Sequence, residues 1–408
     1  MKHNLQFGKS LKTLLSGAVV ATAACTFTAC DNDAIEQVNP NTTQTDTQSP
    51  DENGAVIPGK YIVVFKPDNS LRVSPGASYD QQVRIVKDYG TEVLRTSGIR
   101  AEAIQETYAN AIVGMAVEMS SEEVNQLRND KRVDYIEPDR VVMLAKPGSG
   151  GSTTAGQELP YGINRVGYAS GAGKTAWVID TGIDLDHPDL NVDAARSWSA
   201  FTTARDYTPD DNNGHGTHVA GTIAAKNNDI GVIGVAYDAT VVAVKVLDHR
   251  GSGAYSGVIA GVDYVAANGK AGDAANMSLG GPVSQALDDA VAAAAAKGIK
   301  FAIAAGNDGR HAGNYSPARV NGTNIYTISA MDANNRWASF SNYGNPPVDY
   351  CAPGVNIKST WKDGGYNTIS GTSMASPHVA GLLLLGNINT DGYVSGDRDN
   401  SPDPIAHR

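Results

Sequence analysis

An α/β fold with a mostly parallel sheet, preceded by a smaller α+β unit, follows from three features of this chain. From about residue 159 onward, short apolar runs alternate with alanine-rich stretches of helical period, the pattern of strands and covering helices. Ahead of them, residues 59–145 carry their own strand and helix signals. Between the two lies a Gly/Ser/Thr-rich stretch, 146–158, which reads as a flexible, cleavable linker.

The elements follow in chain order. Lys2, His3, Lys9 and Lys12 precede an apolar stretch from Leu14 to Phe27, too short for a membrane span, and residues 1–30 read as an export signal. Small residues twice lead into a cysteine, Ala23-Ala24-Cys25 and Thr28-Ala29-Cys30. This resembles a bacterial lipoprotein signal, with Cys30 the expected lipidated residue and Cys25 the alternative; ordinary cleavage and release is the other outcome. Residues 31–58 are polar, cannot bury a core, and are expected to be a disordered tether. Within 59–145, the runs 60–65 and 112–117 read as strands and 78–89 and 120–127 as helices. Ser120 caps the second helix, and 133–136 and 141–144 close the unit. Further on, 176–180, 241–247 and 301–305 read as strands, and 256–267 and 283–297 as helices.

Bulk properties narrow the function. The 408-residue chain is 41% hydrophobic and 18% charged, which suits two or three globular units. A net charge of −11 without a Lys/Arg-rich run argues against a nucleic-acid partner. Of the 3 cysteines only Cys351 lies beyond the export signal, so stability must come from packing and bound ions rather than from internal disulfides. Cys351 reads as a small buried apolar residue.

Three segments carry the chemistry. Val178-Ile-Asp180-Thr-Gly182 ends a buried strand on an acid. In Gly214-His215-Gly-Thr-His218 a histidine opens a helix of small residues. In Gly371-Thr-Ser373-Met-Ala-Ser-Pro377-His378 a serine opens another, with Pro377 expected in its first turn. A serine hydroxyl is a poor nucleophile until a neutral imidazole takes its proton, and that imidazole needs a carboxylate to hold its tautomer. Asp180 and the Gly306-Asn307 pair fall at carboxyl ends of predicted strands, where sites in such folds lie. Taken singly, Asp180, His215, Ser373 and Asn307 each have an ordinary structural reading as a turn or a cap; their joint occurrence does not.

Together these segments resemble the subtilase (peptidase S8) family across 159–385, with chain order Asp, His, Ser. The segments Gly251-Ser252-Gly253 with Tyr255 and Asn314-Tyr-Ser-Pro317 look closest to its proteinase K-like branch. Residues 59–145, including Val133-Asp-Tyr-Ile-Glu-Pro-Asp139, resemble the family's inhibitor I9-type propeptide; a generic ferredoxin-like module is the plainer reading. The resemblance implies a three-layer α/β/α catalytic domain behind a ferredoxin-like propeptide. It implies a broad-specificity serine endopeptidase, made as an autoprocessed zymogen, acting on proteins and peptides, inhibited by its own propeptide, and monomeric. Its place would be extracytoplasmic, either secreted or tethered to the cell envelope. Asp180, His215 and Ser373 would be catalytic, and Asn307 would complete the oxyanion hole. Gly251–Gly253, Tyr255, Ser278, Leu279, Gly280, Ala304, Ala305 and Gly306 would bind substrate, and Met374 would be an oxidation liability. No cofactor enters the chemistry. A structural calcium would be held by the Asp349 carboxylate and the carbonyls of Thr323 and Ile325. His218 and His378 would be structural.

Two rivals stand beside this. His215-x-x-His218 with Asp211 has metal-ligand spacing for a metallohydrolase. An inactive binding protein on the same scaffold is the other, though no catalytic position is replaced. The tail 386–408 departs from the family, which continues with a longer helical segment; its Asn387-Ile-Asn-Thr-Asp391-Gly392 faintly echoes a calcium loop but reads as a turn.

Overall fold

The computed structural model describes residues 52–67, 71, 77–144, 151–152, 156–203 and 205–408. The expected export signal with Cys25 and Cys30, and the expected tether up to residue 51, lie outside them, as does most of the expected 146–158 linker. The described residues fall in one compact unit.

The first part runs β1 (Val56–Phe65), α1 (Tyr79–Thr96), β2 (Ile104–Tyr108), β3 (Gly114–Glu118), α2 (Ser121–Leu127) and β4 (Val133–Met143). Its strands pair antiparallel in the order β4-β1-β3-β2, the ferredoxin-like arrangement. Ser78 and Ser120 each close a capping box at the start of α1 and α2. Alternation along β1 divides its side chains. Val63 and Phe65 pack with Val86, Val93 and Leu94 of α1 and Val124 and Leu127 of α2. Ile62 and Val64 point the other way.

Three local expectations are corrected here. Helix α1 runs past Gly90, because Gly90 is a close-packing site: a Cβ there would lie 2.8 Å from Met115 Sδ. The two closing segments are one strand, β4, which accommodates Pro138 at a register irregularity against β1. Strand β2 carries too little apolar periodicity, Ile-Gln-Glu-Thr-Tyr, to be read from sequence.

The larger part continues with β5 (Gly151–Ser152), α3 (Tyr161–Val166), β6 (Ala169–Ser170), β7 (Thr175–Asp180), β8 (Trp198–Ser199), α4 (His215–Ala224), β9 (Ala236–Tyr237), β10 (Thr240–Lys245) and β11 (Ser252–Ala254). Then come α5 (Tyr255–Asn268), β12 (Ala274–Met277), β13 (Gly281–Pro282), α6 (Gln285–Ala296), β14 (Lys300–Ala304), β15 (Tyr315–Ser316), β16 (Ile325–Met331) and β17 (Val348–Pro353). The chain closes with β18 (Ile357–Trp361), β19 (Gly365–Ile369), α7 (Thr372–Leu385), β20 (Asn389–Tyr393) and β21 (Pro404–His407). The main sheet has nine strands in the order β20-β21-β17-β16-β14-β12-β7-β10-β8, parallel except for β20.

Alternation again sorts the core into layers. Ala176 and Val178 of β7 pack with α4 and α7; Trp177 and Ile179 pack with α5 and α6. Ile62 and Val64 of the first part join that second cluster, with Tyr108, Ile112, Ala116 and Val142. The tail is not a plain turn. Its β20–β21 hairpin extends the main sheet beside β17, and Val394 and Ile405 cover Met331 and Cys351. Among the described residues no helix is long and apolar enough to cross a membrane.

Candidate active site

Strand β7 ends at Asp180, fully buried. Its neighbour β12 ends at Met277, opposite Ile179, so the parallel register puts Ser278 beside Asp180. Helices α4 and α7, packed together on one face of the sheet, begin with His215 and with Thr372-Ser373. Two strand ends and two helix starts therefore meet at one edge.

Helix α4 starts where it does because Asp211 accepts the amides of Gly214 and Thr217, both at 2.9 Å. Gly214 has φ 113°, and a Cβ there would sit 2.3 Å from the Trp361 ring. His215 Nδ1 lies 2.8 Å from Asp180 Oδ1. With Nδ1 donating there, Nε2 keeps its lone pair. Burial works against the imidazolium, but the charge and hydrogen bond of Asp180, with Asp211, outweigh it and hold the His215 pKa above its ordinary value.

Ser373 is the second residue of α7, so its N–H has no partner within the helix. Its hydroxyl donates to the Ser278 carbonyl at 3.1 Å, and Ser278 Oγ donates to the Ser373 carbonyl at 2.7 Å. Pro377 makes the second bond available. It lies beyond the first turn, a correction to its expected place, and lacks the N–H that would otherwise take the Ser373 carbonyl. Asn276 and Ser376 continue this network: Asn276 Nδ2 donates to Ser278 Oγ and Ser376 Oγ to Asn276 Oδ1. Sequence reasoning missed Asn276, whose only signal is an amide inside an apolar strand.

Asn307 follows β14. Its Oδ1 accepts Thr372 N at 2.8 Å and Thr372 Oγ1 at 3.0 Å. That leaves Nδ2 to donate into the cleft, a pocket lined by Ser278, Leu279, Gly280, Ala304, Ala305, Gly306, Thr372 and Ser373. All the predicted residues of the 278–280 and 304–306 segments therefore converge on it.

The segment Gly251, Ser252 and Gly253 is already paired. Strand β11 binds β4 antiparallel, Ser252 opposite Met143 and Gly253 opposite Val142, and Leu144 N–H donates to Gly251 O at 2.9 Å. Tyr255 is buried in the apolar cluster that also takes in Val142 of β4, with its hydroxyl donating to Pro282 O at 2.7 Å. The other edge of β4 is held by a residue that sequence reasoning passed over. Asn53 Oδ1 accepts Met143 N at 3.0 Å while its Nδ2 donates to Gly280 O at 3.2 Å. Beyond the cleft, Gly151 and Ser152 pair with Asn367 and Tyr366 of β19, the strand that leads into Ser373. The two parts also exchange carboxylates. Asp139 accepts Ser256 N and Oγ, Glu137 accepts Ser284 Oγ and Gln285 N at the start of α6, and Asp263 of α5 accepts the amides of Ala109, Asn110 and Ala111.

The metal-dependent rival finds no arrangement here. Asp211 is spent on amides and hydroxyls, and His218 Nε2 faces Ile357 O at 2.9 Å. Burial pushes His218 down to about 3 and His378 to about 4, so both are neutral packing residues near neutral pH. Among the described residues no three His, Cys, Asp or Glu side chains converge as a metal group. Asp349 stands apart from the cleft, accepting Thr327 N at 2.9 Å, with Ile325 at the start of β16 and Thr323 just before it.

Comparison with known proteins agrees with the geometry. The subtilase family model matches residues 171–387 and the peptidase inhibitor I9 model matches 60–145. Alkaline serine exoprotease A of Vibrio alginolyticus is 39% identical over 396 residues, covering 92% of this chain and 70% of its own length. An extracellular serine proteinase of Thermus sp. (strain Rt41A) is 41% identical, covering 81% of this chain and 80% of that protein. A solved cold-adapted subtilisin-like serine proteinase aligns with a TM-score of 0.53 at 40% identity, over 60% of this chain and 97% of that one. The chain belongs to the subtilase family of serine endopeptidases and carries an inhibitor I9 domain ahead of its catalytic part.

Proposed function

We propose that this is an extracytoplasmic serine endopeptidase of broad specificity, made as a zymogen that cuts itself between Leu144 and Gly151. The observation that carries the reading is the pairing of β4 with β11, which brings Met143 and Leu144 into the lining of the cleft together with Ser373. The chain thus meets the cleft as a substrate would, by main-chain pairing rather than side-chain readout, and 151–152 pair with β19, the strand before Ser373.

The chemistry follows from the groups present. Once the Ser373 hydroxyl turns from the Ser278 carbonyl to His215 Nε2, that nitrogen takes its proton as Oγ attacks the scissile carbonyl. The new oxyanion is received by Ser373 N–H and Asn307 Nδ2. The intermediate collapses, His215 gives the proton to the departing amine, and an acyl group remains on Ser373. Water, deprotonated by His215, then releases the acid and regenerates the hydroxyl. Asp180 keeps Nδ1–H fixed throughout. Val142 of β4 is buried in one apolar cluster with Tyr255 and Leu279, which supports a preference for apolar side chains where it sits.

Calcium belongs to the same proposal. The Asp349 carboxylate has one amide donor, Thr327, and burial raises its pKa to about 6, so a hard cation shared with the Thr323 and Ile325 carbonyls fits its unmet charge. Chelation should lower the melting temperature of wild type but not of Asp349→Ala. The tether to a lipidated Cys30 would lie on the propeptide side of the cut, so processing would free the catalytic part from the membrane.

Ser373→Ala is the deciding test. It should lower kcat by about 10⁶-fold and leave the chain uncut in its linker, read by mass and N-terminal sequencing. Normal trimming of that variant, expressed free of other proteases, would refute self-processing. Full activity after sulfonylation of the wild type would refute the serine mechanism.

A further inference from the structure

The loop carrying Asn307 is pinned by a residue that touches neither substrate nor the nucleophile. Asn342 is fully buried and follows β16. Its Oδ1 accepts Asp308 N at 3.1 Å and Arg310 N at 2.9 Å. Its Nδ2 donates to Ala305 O at 2.9 Å, and its own N–H donates to Gly306 O at 2.9 Å. The contacts bracket Asn307, with Ala305 and Gly306 before it and Asp308 and Arg310 after. The fit is close: Gly306 has φ 105°, and a Cβ there would lie 2.3 Å from Asn342 Nδ2.

We infer that Asn342 is a positioning residue for the oxyanion donor, fixing the backbone from which the Asn307 amide reaches the cleft. The inference rests on the reading of Asn307 given above. A carboxamide suits the place because one planar group must accept from two amides and donate to a carbonyl. Thr372 then locks the side chain: its Oγ1 and N–H bind Asn307 Oδ1, and its Oγ1 receives Gly306 N–H at 3.1 Å. Asn342 governs where the Asn307 backbone lies, and Thr372 how its amide is turned. A donor displaced by about 1 Å can forfeit a large part of its effect on the transition state.

The test is a double-mutant cycle on the mature enzyme with a chromogenic peptide. Asn342→Ala should lower kcat by roughly 10-fold or more with KM within about twofold, since an oxyanion donor acts chiefly on the transition state. In an Asn307→Ala background the same change should alter kcat by less than about twofold. Asn342→Asp supplies a second readout and a variant of unchanged size. Its carboxylate cannot donate to Ala305 O, whereas its protonated form can, so its deficit relative to wild type should shrink as pH falls. Equal losses in both backgrounds, or a raised KM at unchanged kcat, would overturn the role. A loss below about 10-fold for Asn307→Ala alone would instead strike the reading of Asn307, and this role with it.

Discussion

The nine-stranded sheet of the catalytic part has helices of its own on both faces, α4 and α7 on one side and α5 and α6 on the other. The sheet of the inhibitor domain has α1 and α2 on one face only. Its other face, through Ile62, Val64, Tyr108, Ile112, Ala116 and Val142, lies against the core around α5 and α6. One part is complete; the other completes its core on the enzyme that it blocks. Burying a large aliphatic side chain stabilises by about 1.5–3 kcal/mol, so the contacts that inhibit are also contacts that fold the inhibitor. Degrading the inhibitor domain removes only a cover from the catalytic part. Removing the catalytic part exposes the inhibitor's second apolar face.

Buried carboxylates sharpen the contrast, because Asp180 serves the catalytic part internally while Asp139 serves the junction. Asp180→Asn should leave folding intact but lower kcat by about 10⁴-fold. The wild-type acid limb of kcat/KM should lie above the ordinary histidine value, since His215 is held raised by Asp180 against its burial. Activity that survives this change to within tenfold would remove Asp180 from the mechanism.

Asp139→Ala takes away a buried carboxylate that accepts Ser256 N and Oγ at the start of α5. Hydrogen bonds to charged groups contribute about 1.5–3 kcal/mol, so the isolated inhibitor domain should bind roughly 10- to 100-fold more weakly in a titration against mature enzyme. An unchanged inhibition constant would mean that apolar contact alone holds the junction.

The same junction predicts a pH dependence. Burial raises the pKa values of Asp139 and Asp263, and burial with Asp139 nearby raises Glu106 from 4.5 to about 7. Where this burial comes from the junction, the complex holds protons that the separated parts release. Affinity should be greatest below pH 4.5, weaken as pH rises toward about 7, and level off above. An affinity that stays flat over that interval would show that these groups are equally buried in the separated parts.

The smallest expected effect is at Asn53, upstream of the segment matched by the inhibitor model. Asn53→Ala removes the bridge between Met143 N and Gly280 O. Neutral hydrogen bonds contribute about 1 kcal/mol each, so inhibition should weaken by roughly 5- to 30-fold with catalysis by the mature enzyme untouched. No change would leave β11 as sufficient to hold the tail.

What could be read from sequence was local. Ser120 and its Glu123 announce a capped helix within four positions, and Asp180, His215 and Ser373 each sit at a strand end or helix start that short-range pattern reveals. What sequence could not reveal joins distant positions. Asn342 reads as an ordinary loop amide until the fold sets it against Ala305, and Asn53 as part of a polar tether until β4 lies beside it. The Ser373 carbonyl, left open near the start of α7 by Pro377, matters only because β12 delivers Ser278 to it. Periodicity and caps are fixed by neighbours a few residues apart, so the chain displays them openly. Pairing of groups separated by tens to hundreds of positions is settled by how the layers close, and only the folded molecule displays that.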